Sequence, residues 1–122
     1  MEPGNWVSVQ RDDGETVGYL DPVTSNYDVV VPRNILGQQI GEPSDYAVAE
    51  ALVEDRGIGE LMNLWILDGQ EAVVGDELTI LEVSPDGIVL ANALRVKALE
   101  STQRIHIPWP DVSQRLTSVK RP

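Results

Sequence analysis

No cysteine occurs in this chain of 122 residues. Disulfides, thiolate nucleophiles and Cys-held zinc or iron–sulfur centres are thereby excluded. Phenylalanine is also absent, and three Trp with three Tyr are the whole aromatic complement. They form no stacking platform of the kind that nucleotides need. Histidine occurs once, as His106. Positive charge is scarce, with nine Lys and Arg against twenty Asp and Glu and a net charge of −11. Such a surface repels phosphate backbones, so nucleic acid is not expected as a partner. The longest strictly apolar run is Leu64-Trp65-Ile66-Leu67, far short of the roughly 20 residues of a membrane helix. No membrane association is expected. The start, Met1 to Trp6, has neither a basic cluster nor an apolar stretch, and reads as no secretory signal. The expected setting is cytoplasmic.

What is present is unevenly charged. Residues 1–94 hold eighteen acidic groups against Arg11, Arg33 and Arg56, a net of −15. Residues 95–122 hold Arg95, Lys97, Arg104, Arg115, Lys120 and Arg121 against Glu100 and Asp111, a net of +4. An acidic body with a basic end predicts that the end meets acidic surface, on this chain or on another copy. The length suits one domain over 1–122, and 42% apolar residues can build one core without staples.

Local pattern predicts short strands. Trp6 to Gln10 alternates apolar and polar, Asp12-Asp13-Gly14 turns the chain, and Thr16 to Leu20 returns. Asp21-Pro22 ends that strand, and Ser25-Asn26 turns into a third from Tyr27 to Val31, which Pro32 is expected to stop. Asn34-Ile35-Leu36-Gly37 reads as one helical turn. A helix is predicted from about Asp45 to Arg56, with Ser44 as N-cap, Asp45 at the positive end of the dipole, and Gly57 at the left-handed C′ position. Val48, Ala51 and Leu52 form its apolar stripe, and Glu50, Glu54 and Asp55 mark its wet face. Leu61 to Leu67 reads as a strand covered on both faces, and Ala72-Val73-Val74 as a short edge. Leu78 to Val83 and Ile88 to Leu94 form a hairpin about Ser84-Pro85-Asp86-Gly87. Glu100 to Gln103 is a loop, Arg104 to Ile107 a last strand, and 111–122 a helical turn or partly ordered tail. The fold class is therefore mainly β. It is a β-rich α+β chain, a small bent antiparallel sheet or partly open barrel of seven or eight short strands with one helix near 45–56. A two-layer sandwich with the helix on one sheet is the alternative.

No residue set rises to a catalytic motif. His106 with Asp111 and a Ser has the residue types of a triad. Lying between Ile105 and Ile107 on a strand, however, it points away from them, to solvent. There is no G-x-S-x-G elbow and no Walker A sequence. Gly57-Ile58-Gly59 follows a helix, whereas a dinucleotide fingerprint opens one. Asp12-Asp13-Gly14-Glu15 lacks the ligand spacing of a calcium loop. The pairs Asp12/Asp13, Glu54/Asp55 and Asp76/Glu77 are sequence neighbours, which on a strand face opposite ways. No cofactor or metal is expected.

The functional expectation is a non-enzymatic interaction or regulatory module whose partner is another protein or a second copy. Arg95, Lys97 and Arg104 on a basic C-terminal strand would meet the acidic face of a homodimer mate. The proline-flanked Trp109 is a candidate anchor. Two alternatives stand beside it. One is a small-molecule binder with Tyr19, Tyr27 and Trp65 lining a barrel mouth. The other is an enzyme working through carboxylates alone.

Overall fold

The structure, a computed structural model, describes residues 3–69 and 77–119. The chain divides into two compact units, 1–58 and 59–122. The architecture is mainly β, as the alternating pattern predicts, and the described residues form nine strands in two antiparallel sheets and one long helix. Neither sheet closes into a barrel.

The first unit holds β1 (Val7–Gln10), β2 (Thr16–Pro22), β3 (Val29–Asn34), β4 (Ser44–Asp45) and α1 (Tyr46–Arg56). Its sheet runs in chain order, β1-β2-β3-β4. The first hairpin turns where Asp-Asp-Gly predicts. Gly14, at φ +85°, donates to the Arg11 carbonyl, and Glu15 N–H donates to Asp13 Oδ1 at 3.0 Å. The third strand does not stop at Pro32. It pairs through Pro32 and on to Asn34, with Pro32 opposite Leu20. The Pro32 carbonyl accepts from Ile40 N–H on the side away from β2, and N and O of one strand residue face the same way. The missing N–H thus faces the edge away from β2, where residues 38–40 meet β3 only through the isolated Arg33–Gln39 bridge, so the β2–β3 ladder keeps its bonds.

α1 also corrects the expectation in two respects. Its N-cap is Asp45, whose Oδ1 accepts from Val48 N–H at 2.9 Å, and Ser44 is a strand residue paired with Val30. The buried face is Ala49 and Val53, not Val48, Ala51 and Leu52. Those two pack with Val9, Val17, Leu20 and Val30 into the core of the unit. The reason is close approach. A Cβ at Gly18 would collide with Val53 Cγ1 and the Arg33 carbonyl, so the small residues Gly18 and Ala49 let the helix lie directly on the sheet. Gly57 (φ +60°) ends the helix, its N–H donating to the Val53 carbonyl, and Ile58 folds back on the cluster containing Val53.

The second unit holds β5 (Leu64–Leu67), β6 (Leu78–Ser84), β7 (Gly87–Asn92), α2 (Ala93–Lys97), β8 (Ile105–Ile107) and β9 (Leu116–Val119), in the order β8-β7-β6-β5-β9. The Ser84–Gly87 hairpin forms as read, with Ser84 opposite Gly87. A Cβ on Gly87 would meet the Ile107 carbonyl oxygen at 3.2 Å, and its φ of +150° suits glycine alone. The strand covered on both faces is β7, where Ile88, Val89, Leu90 and Ala91 are all buried, because consecutive side chains face opposite sides. The Leu61–Leu67 run instead begins as a 3-10 turn (Gly59–Met62), and in β5 only Trp65 is buried. The expected Ala72-Val73-Val74 strand lies outside the described residues. Residues 116–119 are no tail. They form β9, which pairs with all four residues of β5.

Candidate functional site

β7 does not continue to Leu94. Asn92 stops it by accepting from Arg95 N–H on Oδ1 at 3.0 Å, and α2 begins. Arg95 and Lys97 therefore stand in the last turn of a short helix rather than on a basic strand, where positive charge suits the carbonyl end of the dipole. The helix ends in a Schellman arrangement. Leu99 N–H donates to the Val96 carbonyl at 3.1 Å and Glu100 N–H to the Arg95 carbonyl at 2.9 Å. This geometry needs a left-handed residue at C′, which is usually glycine. Here it is Leu99, at φ +59° and 93% exposed. A bulky side chain thus sits in a strained backbone region with almost no packing to offset it.

Around α2 the surface is mixed. Leu94 is 58% exposed, and Arg95 and Lys97 are exposed beside it. A groove of about 360 Å³ runs along the helix, lined by Leu64, Thr79, Ala93, Leu94, Val96 and Lys97, with Glu77 as its acidic member. Of the residues singled out in the sequence, the structure thus brings Arg95 and Lys97 together. Arg104 precedes β8 along the chain and Trp109 follows it. Arg104 is exposed and Trp109 half-buried ahead of a cis bond to Pro110. Leu94 and Leu99 were missed by strand reading. The signal was Asn92 as a cap ahead of Ala-Leu-Arg-Val-Lys-Ala, all but Val strong helix formers.

The residues considered for chemistry are engaged otherwise. His106 points to solvent from β8, opposite Val89, with Ile107 buried beside it. Asp111 is 3% exposed, and its two carboxylate oxygens accept from Arg115 N–H (2.9 Å) and Leu116 N–H (3.0 Å), fixing the entry to β9. Trp65 is core at 1% exposure, Tyr27 donates its hydroxyl to the Asn5 carbonyl, and Tyr19 packs on Trp6 with ring centres 5.9 Å apart. Burial pushes the Tyr19 phenol above its usual pKa.

Carboxylates do gather at one place. Asp12, Asp13 and Glu54 line an open depression of about 500 Å³ with Gln10 and Arg11. The Glu15 N–H holds Asp13 below the ordinary carboxylate range, aided by Arg11 at 3.1 Å. That is the behaviour of a charged turn, since an acid–base catalyst needs its pKa raised toward neutrality. Among the described residues no group of three or more His, Asp or Glu is placed to hold a metal, and no helix is long and apolar enough to cross a membrane.

The polar cluster that sequence reading missed is structural. Arg33, 4% exposed, donates through Nε (3.1 Å) and Nη2 (2.9 Å) to Asp21 Oδ2 and through Nη1 (2.9 Å) to the Gly37 carbonyl. Its guanidinium lies 4.8 Å from the centre of the Trp6 ring. Asn34 Oδ1 accepts from Leu36 and Gln38 N–H, closing as a polar loop the segment that the sequence suggests is a helical turn. Compared with protein-family models, curated proteins and solved structures, the chain matches none.

Proposed function

We infer that this chain is a non-enzymatic protein-interaction module whose contact surface is α2 and its shoulder: Leu94, Arg95, Lys97 and Leu99. The observation that carries this reading is Leu99. A leucine held in the left-handed region and 93% exposed costs the folded chain stability and returns no packing within it. Strain of this kind clusters at functional sites, which supports reading Leu99 as part of a contact. Leu94 adds a second exposed leucine, and Arg95 and Lys97 frame the pair. Of the four, Arg95 is of the residue type that interaction surfaces favour. At Asp13 and Asp68 the shifts run downward, opposite to what acid–base catalysis by those two groups would ask.

The test is differential capture. Immobilised wild-type chain and a Leu94→Ser/Leu99→Asn variant of equal thermal stability are exposed to the same extract. The reading expects at least one protein held by the first and lost from the second. Identical captured sets would refute it.

A further inference from the structure

We propose that Asp86-Gly87 is a modification site of this chain, the point at which its folded form converts to isoaspartate. Three Asp-Gly pairs occur in the sequence, Asp13-Gly14, Asp68-Gly69 and Asp86-Gly87, and Asn-Gly does not occur. An Asp carboxyl followed by glycine is open to attack by the next main-chain nitrogen, because glycine has no Cβ to hinder the approach. At Asp86 the Gly87 nitrogen bonds to Cγ. The Cγ–OH bond breaks, the amide proton goes to solvent, and one water leaves. Water then opens the five-membered imide at either carbonyl. Opening at the main-chain carbonyl leaves the chain running through Cγ, with the overall mass unchanged.

The dipeptide is the same at all three places, so the fold decides between them. Hydroxide departs readily only from a protonated carboxyl, and bonds that favour the ionised form therefore protect it. Asp68 accepts on both oxygens from Arg115, Oδ1 from Nε at 2.8 Å and Oδ2 from Nη2 at 3.1 Å. Asp13 accepts from Glu15 N–H on Oδ1 at 3.0 Å and from Arg11 Nη2 on Oδ2 at 3.1 Å. Charge-assisted bonds of this kind are strong. The Glu15 N–H and the Arg115 guanidinium hold these two carboxyls below their ordinary range. Asp86 is different. It lies exposed at the tip of the β6–β7 hairpin, and its main-chain N–H donates to Ser84 Oγ at 3.1 Å. Among the described residues its carboxylate has no hydrogen bond and no ion pair. No bond has to break before that side chain takes up a proton and turns toward Gly87. The place is also a sensitive one. Conversion inserts a methylene into the main chain between Ser84 and Gly87, the pair that sets the register of β6 against the buried strand β7. Slack is small there, since even a Cβ at Gly87 would meet the Ile107 carbonyl oxygen at 3.2 Å.

The test ages the folded full chain at about pH 6, where an unheld carboxyl still takes up some proton. Electron-transfer fragmentation of its peptides locates isoaspartate. Methyl transfer from S-adenosylmethionine by an isoaspartate-specific carboxyl methyltransferase counts it. Isoaspartate is expected to build up first at Asp86, ahead of Asp13 and Asp68, and Asp86→Ser to remove most of the methyl uptake. Arg115→Ala frees the Asp68 carboxyl by breaking an exposed pair that is worth little to stability. Isoaspartate at 68 should then rise severalfold while that at 86 stays as in the wild type. In guanidinium chloride all three dipeptides lose their surroundings, and their rates should converge. Asp13 or Asp68 leading in the folded chain overturns the proposal. So does an Asp86 lead that persists in guanidinium chloride, because the cause would then lie in the neighbouring sequence and not in the fold. An Arg115→Ala chain with unchanged isoaspartate at 68 removes the protection on which the choice of Asp86 rests, and overturns it too.

Discussion

At the scale of single residues, two charged pairs show how burial decides what an ion pair is worth. Arg33 and Asp21 have side chains only 4% and 15% exposed, and Arg33 also reaches the Gly37 carbonyl and the Trp6 ring. Removing Asp21 strands a guanidinium in the interior. Asp21→Ala is expected to lower unfolding free energy by about 3 kcal/mol, read from urea denaturation. Arg11 and Asp13 approach equally closely, but their side chains are 44% and 61% exposed. Arg11→Ala should leave the urea midpoint unchanged. Leu99 is the converse case, a residue whose removal helps. Leu99→Asn keeps the Schellman bonds, relieves the left-handed strain and gives up little packing. It should stabilise the chain by about 1 kcal/mol, visible as a higher melting temperature.

Elements are held by what their neighbours permit. α1 lies on its sheet because Gly18 has no Cβ, and a methyl there would meet both Val53 Cγ1 and the Arg33 carbonyl. Gly18→Ala should cost about 3 kcal/mol by overpacking, in urea or thermal unfolding. The end of β5 is tied to β9 by Asp68, which accepts from Arg115 Nε at 2.8 Å and Nη2 at 3.1 Å. That hydrogen bond and the Arg115 charge hold the Asp68 carboxyl below its ordinary 3.8. A lowered folded-state value means that the unfolded chain takes up the proton first. The stabilisation is therefore complete above about 3.8 and fades as pH falls from there through the lowered value. Asp68→Asn should flatten the acid limb of the stability–pH curve below pH 4 and leave its neutral plateau slightly lower. Urea midpoints at a series of pH values check this.

For the whole molecule, charge dominates. A net of −11 and an isoelectric point near 4.3 give copies a mutual long-range repulsion at neutral pH. Turbidity of concentrated protein should peak near pH 4.3 and be absent at pH 7.

The sequence by itself determined what local chemistry determines. The Asp-Asp-Gly and Pro-Asp-Gly turns, the span of α1 and its Gly57 stop, and the strands flanking each turn are written in residues that are close neighbours along the chain. Charge asymmetry was equally plain, and so was the absence of cysteine. Only the tertiary structure decided which face of α1 is buried, because Val48 and Val53 are equally apolar and the choice belongs to the room left at Gly18. It alone carried β3 through Pro32, since the missing donor faces away from β2, onto an edge met only by the short bridge at Arg33 and Gln39. It turned 116–119 from a tail into β9, because a strand's partner can lie fifty residues away along the chain. And it bent the chain at Asn92, putting Arg95 and Lys97 on a helix beside two exposed leucines, where a side-chain cap outcompeted the next rung of a ladder.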